Sequence, residues 1–338
     1  MRSTSDNPMR AHYAGRRVCV TGGAGFIGSH LAEALLLLGA DVVLLDDLSA
    51  SDGAHAAALV ESYPRMARLV FGSILDPAAL REALTGVDTV FHLAAMNSVP
   101  RSIAEPERTF EVNAVGTVRI VEECRRRGAR RIVYAASSSA YGDGPEMPKV
   151  EGLLPRPQSP YASSKLAGES VLRAWAHSYG LSAVSLRYFN VFGPRQSADN
   201  AYAAVVAAFL AKLHAGEHPA IFGDGSASRD FTPVANVVQA TLLAGASPKD
   251  LKGEVVNVGT GRRTTVVELA HLLARLAGRP DLTPVFRDPR PGDVAHSLAD
   301  ISLAHALLGY DPVKSLEDGL ADTAAWFARS SREPLATK

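Results

Sequence analysis

The chain has very little cysteine: Cys19 and Cys124 are the two thiols in 338 residues. They are too few and too poorly patterned for a disulfide framework or a zinc site, so both read as core thiols in a reducing compartment. An excess of either charge is missing too, with 35 Lys and Arg against 35 Asp and Glu. No broad field therefore draws nucleic acid or a membrane surface, and any anion site must be built from local arginines. Long apolar runs are absent: no stretch approaches the roughly 20 residues that span a bilayer. The first fifteen residues are polar and irregular, without the apolar core of a signal peptide. The expectation is a soluble, cytoplasmic protein with a disordered extension over residues 1–15.

What is present is alternation. Short apolar or β-branched runs at Arg17 to Thr21, Asp41 to Asp46, Ala67 to Phe71, Thr89 to Leu93, Arg131 to Ala135 and Ser182 to Tyr188 read as strands. Between them lie helical patterns at Ser29 to Leu38, Pro77 to Leu84, Arg108 to Arg127 and Tyr161 to Tyr179. Such alternation predicts an α/β fold, a doubly wound parallel sheet, over residues 16–190. From 191 to 330 the pattern loosens, with helices near 200–216, 233–246, 264–278, 300–308 and 315–330, and reads as a smaller mixed lobe interleaved with the first. Ligands in such folds sit beyond the carboxyl ends of the strands.

The first strand runs into V-T-G-G-A-G-F-I-G-S-H, which places Gly22, Gly25 and Gly28 at a tight turn opening a helix. There a backbone can approach a pyrophosphate and a helix can pack closely on the sheet. Glycine turns after strands are common, so the turn alone says little. The second strand, however, ends in Asp46, about 20 residues on, where a carboxylate can accept hydrogen bonds from both ribose hydroxyls of an adenosine. It would repel a 2′-phosphate, which favours NAD over NADP.

After the fifth strand come the serines Ser137, Ser138 and Ser139, and then S-P-Y-A-S-S-K, Ser159 to Lys165. Tyr161 and Lys165 are four apart and share a helix face. In isolation that is an ordinary surface pair. Beside a nucleotide turn it suggests a phenol working as a base. Bringing a phenol from near 10 to about 7 needs roughly 4 kcal/mol, which an ammonium and a positive nicotinamide in a partly desolvated cleft can supply. His92 and His296 lack metal-ligand spacing, and His92, ending a buried strand, reads as structural. No metal is expected.

With these residues the chain resembles the extended short-chain dehydrogenase/reductases, the nucleotide-sugar epimerases and dehydratases, from about residue 16 to 328. The resemblance implies Ser137, Tyr161 and Lys165 as the catalytic set. It implies an NAD cradle of Gly22, Gly25, Phe26, Ile27, Gly28, Asp46, Asp47, Leu48, Ser49, Ser73, Ile74, Leu93, Ala94, Ala95, Asn113, Tyr161, Lys165 and Tyr188. Dehydratases and decarboxylases of the family follow the catalytic Ser/Thr with carboxylates, whereas here Ser138 and Ser139 stand there, which leaves 4-epimerisation.

Segments such as N-S-V-P-R-S-I-A-E-P (Asn97 to Pro106), L-R-Y-F-N-V-F-G-P-R-Q (Leu186 to Gln196) and G-D-G-S-A-S-R-D-F (Gly223 to Phe231) look most like UDP-N-acetylglucosamine 4-epimerases. By that resemblance Arg229 and Arg290 clamp a diphosphate, Asn190 bonds the same region, Ala204, Val205 and Phe222 enclose uracil, and Asp293 holds a ribose hydroxyl. Ser98, Ser138 and Ser139 face the sugar with Ser137 and Tyr161, and Ser297 stands where glucose-limited relatives carry tyrosine, leaving room for an acetamido group. The alternatives are UDP-glucose or UDP-uronic-acid epimerases, a dehydratase, or a non-catalytic NAD-binding scaffold. A homodimer through the two helices Arg108 to Arg127 and Tyr161 to Tyr179 is expected from the same likeness. Three positions depart from the family pattern: Ser73 replaces an adenine-bonding Asp, Asp47 replaces Asn, and F-T-P-V-A-N (Phe231 to Asn236) lacks a helix-starting aspartate worth about 1 kcal/mol.

Overall fold

The computed structural model describes residues 8–197, 205–288 and 295–330. Six strands take the expected places: β1 (Arg17–Thr21), β2 (Asp41–Asp46), β3 (Ala67–Phe71), β4 (Thr89–His92), β5 (Arg131–Ser137) and β6 (Ser182–Tyr188). Past residue 190 come β7 (Val191–Phe192), β8 (Ala220–Phe222), β9 (Ser228–Arg229), β10 (Thr232–Pro233), β11 (Lys252–Val258), β12 (Thr264–Thr265) and β13 (Val285–Arg287). The main sheet has seven parallel strands in the order β11-β6-β5-β4-β1-β2-β3.

The helices are α1 (Pro8–Tyr13), α2 (Phe26–Leu37), α3 (Ala54–Ser62), α4 (Pro77–Ala83), α5 (Val99–Ala104), α6 (Pro106–Phe110), α7 (Gly116–Arg127), α8 (Pro160–Tyr179), α9 (Val205–His214), α10 (Val234–Ala246), α11 (Val266–Leu276), α12 (Ser302–Leu308) and α13 (Leu316–Ser330). Strand residues alternate between two cores, as the pleat requires. Val18, Val20, Val42 and Leu44 point to α2, α10 and α12, while Cys19, Val43 and Leu45 point to α4, α7 and α8. A third core gathers α9, α11 and α13 around Phe192, Ile221 and Phe231. Among the described residues no helix is long and apolar enough to cross a membrane.

Three sequence expectations change. The extension is not frayed from Pro8 onward: α1 buries the Tyr13 ring completely, and its hydroxyl donates to Leu242 O at 2.7 Å. Strand β11 escaped the sequence reading because Lys252, Gly253 and Glu254 interrupt its apolar pattern, and the register shifts there. The helix expected over 108–127 is broken into α6, a π-helical turn at Glu111–Val115, and α7. Asn113 lies within that turn and reaches out of it to hold both the loop after β4 and helix α8, as described below.

Helix α10 begins after Pro233 with no side-chain cap, in keeping with the missing aspartate of F-T-P-V-A-N. Its far end is held instead by Arg131, which donates to Ala244 O at 3.2 Å and Gly245 O at 3.3 Å. A guanidinium bonding terminal carbonyls also complements the negative end of the helix dipole.

Candidate active site

The carboxyl ends of β1, β2, β3, β4 and β5 open onto one cleft. At its floor the chain turns with Gly22 at φ +69°, where a Cβ would meet Ala94 N at 2.8 Å. A Cβ on Gly28 would fall 2.0 Å from Gly22 O. Bare backbone is thus enforced where a diphosphate would approach the first turn of α2. Asp46 ends β2 with each oxygen accepting one amide, Ala24 N–H and Leu48 N–H, both at 2.9 Å. Burial pushes its carboxyl up, and these two bonds and the nearby Asp47 modify that shift in opposite senses. The residues fit an adenine dinucleotide: a side-chain-free turn, a fixed carboxylate for ribose hydroxyls, and a cleft continuing to Tyr161 and Lys165.

Of the expected cradle, Gly22, Gly25, Phe26, Ile27, Gly28, Asp46, Asp47, Ser49, Ser73, Ile74, Leu93, Ala94, Ala95, Tyr161, Lys165 and Tyr188 line this cleft. Leu48 and Asn113 do not. Leu48 has φ +56° and turns its side chain toward Gly53 instead. Asn113 is buried, and its amide is fully engaged: Nδ2 donates to Met96 O at 3.1 Å and Ser164 Oγ at 3.0 Å, while Oδ1 accepts Met96 N–H at 2.8 Å. It shapes the cleft from behind. Ser73 lines the cleft while its hydroxyl accepts the Leu75 amide at 3.2 Å.

Ser137 closes β5 beside Tyr161, which opens α8 next to Pro160 and the N-cap Ser159. Ser137 Oγ accepts Ser139 Oγ–H at 2.9 Å. Ser138 and Ser139 sit half-buried on the 3₁₀ turn that follows. Burial pushes the Tyr161 phenol up, and the nearby Ser137 hydroxyl acts against it. Without the nicotinamide cation that the sequence reading also invokes, the protein's own field therefore favours the neutral phenol. Lys165 is buried; Nζ donates to Ala135 O at 2.8 Å and lies 4.8 Å from the centre of the Tyr134 ring. Burial lowers its ammonium to about 7.

His92 is structural, as expected. Thr117 Oγ1 donates to Asn113 O, so it accepts from His92 Nε2–H at 3.0 Å, and Thr21 Oγ1 donates to His92 Nδ1 at 2.8 Å. Burial and Lys165 hold this neutral imidazole at about 3.

The expected substrate residues are only partly gathered. Ser297 N–H donates to Ser228 O at 2.9 Å, which lays segment 295–300 beside β9 and its Arg229. The other edge of that segment bonds the loop after Tyr141, through Lys149 N–H to Leu298 O and Asp300 N–H to Lys149 O. His296 Nδ1 pairs with Ser228 Oγ at 2.8 Å, and Asn190 O accepts Thr232 N–H at 3.1 Å. Phe222 ends β8 and Val205 starts α9. Ser98 caps α5, accepting Arg101 N–H. Ala204, Arg290 and Asp293 lie outside the described residues.

Arg101 and Arg108 also line the cleft and were not singled out from sequence. Their ion pairs with Glu105 and Glu111 are legible as helical spacings, but the side of the cleft they face is not. A buried pair beneath α8, Glu169 and Arg187, was missed as well. A charge just before the end of the otherwise uncharged run Ser182 to Tyr188 was the available signal.

The profile of the NAD dependent epimerase/dehydratase family matches residues 18–259. The chain belongs to that family. NAD is its cofactor, and the chain is an isomerase. A UDP-glucose 4-epimerase of Mycolicibacterium smegmatis is 40% identical over 325 residues, covering 94% of this chain and 100% of the relative. The structure of a UDP-N-acetylglucosamine 4-epimerase from Methanobrevibacter ruminantium, in complex with UDP-N-acetylmuramic acid, superposes with a TM-score of 0.88 at 36% identity, covering 94% of this chain and 99% of that one. A UDP-glucuronic acid 4-epimerase from Bacillus cereus, solved with a UDP-sugar analogue and NAD, gives 0.85 at 30% identity, covering 93% and 99%.

Proposed function

We propose that the chain inverts C4 of a UDP-hexose, with UDP-N-acetylglucosamine and UDP-N-acetylgalactosamine as the preferred pair. The observation that carries the reaction is the trio Ser137, Tyr161 and Lys165 at the end of the NAD cleft. When bound, NAD supplies the acceptor and donor of hydride. Tyr161 Oη takes the proton of the C4 hydroxyl and later returns it, and Ser137 Oγ holds that hydroxyl in line. Lys165 holds the cofactor ribose and biases the phenol toward ionisation. Gly22, Gly28 and Asp46 hold the adenosine end. A transient 4-keto sugar turns about its diphosphate, which Arg229, Arg290 and Asn190 hold, with Ala204, Val205 and Phe222 around the uracil, Asp293 on its ribose, and Ser98, Ser138 and Ser139 toward the sugar.

The same reading assigns residues 16–190 to the cofactor and 191–330 to the sugar nucleotide, although β11 rejoins the main sheet. It includes a homodimer through the segment Arg108 to Arg127, which spans α6, the π-helical turn and α7, together with α8, against which that segment packs. Elimination chemistry is disfavoured because Ser138 and Ser139 offer no carboxylate.

Ser297 supports the N-acetyl preference: it is half-buried and bonded to the strand that carries Arg229. UDP-N-acetylglucosamine, UDP-glucose and UDP-glucuronic acid, each incubated with the purified enzyme, distinguish the readings by NMR of C4 inversion. Turnover led by the N-acetyl sugar is expected, turnover confined to another sugar replaces the substrate assignment, and none at all in NAD-loaded protein rejects the catalytic reading. Ser297→Tyr is expected to lower N-acetyl turnover at least about a hundredfold by filling the acetamido space, with UDP-glucose turnover spared. Unchanged N-acetyl rates would overturn the role of this position.

A further inference from the structure

Lys165 is not the last charge on the buried face of α8. One turn on stands Glu169, whose carboxylate accepts two bonds from Arg187 of β6, at 2.8 and 2.7 Å. Both side chains are nearly inaccessible, at 4% and 3% exposure. Arg187 is fixed from a second side, with its guanidinium 4.5 Å from the centre of the Tyr141 ring. Tyr141 in turn donates to Asn257 Oδ1 at 2.6 Å. An ion pair this deep adds little net stability over apolar residues of the same volume, because desolvation offsets the attraction. Its position is more informative than its energy.

The groups around Lys165 come from four elements: Tyr161 and Glu169 on α8, Tyr134 on β5, His92 on β4 and Tyr188 on β6, with Arg187 of β6 behind Glu169. The phenols of Tyr134, Tyr161 and Tyr188 are pushed up by burial and His92 is held neutral. Glu169 is thus the one anion of the set. We propose that Glu169, clamped by Arg187, is a positioning residue that keeps Lys165 protonated beside Tyr161. The proposal rests on the reading of Tyr161 and Lys165 as the catalytic pair. Residues four apart share a helix face, and away from water the carboxylate's potential at Nζ is weakly screened. Burial drives the ammonium down and Glu169 opposes it. Because the Arg187 guanidinium is fixed against the Glu169 carboxylate, the proposal requires that removing either partner move Lys165 in opposite directions.

The test is kcat against pH for the NAD-loaded enzyme and three variants: Glu169→Gln, Arg187→Met, and the two combined. The alkaline limb, where Lys165 loses its proton, is expected to move down by about one pH unit in Glu169→Gln. It should move up in Arg187→Met and return close to the wild-type position in the double variant, whose neutral pair also spares the fold an unpaired buried charge. A pair with a merely structural role would lower thermal stability without moving the limb; that result, or movement in one direction for both single variants, overturns the proposal. NMR titration of labelled Lys165 reads the same shifts without turnover. Wild-type protein lacking 4-epimerase turnover would defeat the catalytic reading, and the titration would still decide the charge coupling.

Discussion

Tyr161→Phe is expected to lower kcat for C4 inversion about a hundredfold to ten-thousandfold, the range for loss of a positioned acid–base group. The change removes one oxygen and little else. Ser137 Oγ keeps its bonds from Ser139 N–H and Oγ–H, so the end of β5 should hold its shape. The cofactor floor is built from Gly22, Gly28 and Asp46, none of which touches the phenol oxygen, so NAD should still copurify. Thermal midpoint, bound NAD and turnover measured together isolate the effect. Turnover within tenfold of wild type would remove the phenol from the reaction. The direction of the pH dependence follows from the site: Tyr161 works as the ionised phenol, and in the NAD-loaded enzyme the nicotinamide and Lys165 cations oppose the burial that favours its neutral form, so wild-type kcat should climb with pH as Tyr161 ionises. That limb should vanish in the phenylalanine variant.

Asp230→Ala is expected to cost about 3 to 5 kcal/mol of folding stability, because it strands several buried donors at once. Asp230 is completely buried and accepts Thr260 N–H at 2.8 Å, Thr260 Oγ–H at 2.6 Å and Gly261 N–H at 2.9 Å. A longer contact of 3.4 Å reaches Ala299 N–H. One carboxylate thereby ties β9 to the loop after β11 and to the segment that carries Ser297. Beyond the stability loss, the Michaelis constant for the sugar nucleotide should rise, since Arg229 is its chain neighbour. Urea unfolding of the variant checks the first effect. A loss below about 1 kcal/mol, the scale of a single ordinary hydrogen bond, would contradict the accounting. Asp230→Asn, which keeps one acceptor oxygen, should recover part of the loss.

The parallel sheet was legible in sequence because its central strands are buried on both faces and read as unbroken apolar runs. β11 was not, since a bulge and three polar or small residues stand at its start. The glycine turn, Asp46 and the spacing from Tyr161 to Lys165 carry their geometry in the chain itself, and the structure brings them to one cleft. Side-chain direction is what spacing does not encode. Leu48 and Asn113 sit in cofactor-facing segments yet point elsewhere, and Arg101 of α5 and Arg108 of α6 line the cleft. Glu169 and Arg187 are 18 residues apart and meet only because β6 lies beneath α8. The degree to which the Tyr161 phenol is buried is likewise not encoded in the spacing to Lys165.

The opening turn of the chain has a role that a boundary drawn at the glycine motif would miss. The Tyr13 ring fits against Phe91 of β4, and its oxygen is fastened near the end of α10, where even a methyl on Gly245 would collide with both rings. The seam is so tight that the ring acts as a wedge keyed between two elements encoded some 150 residues apart. Without that wedge the sheet and its covering helix would have to slide together or admit water, so the first described helix is a working part of the scaffold on which the cleft is built.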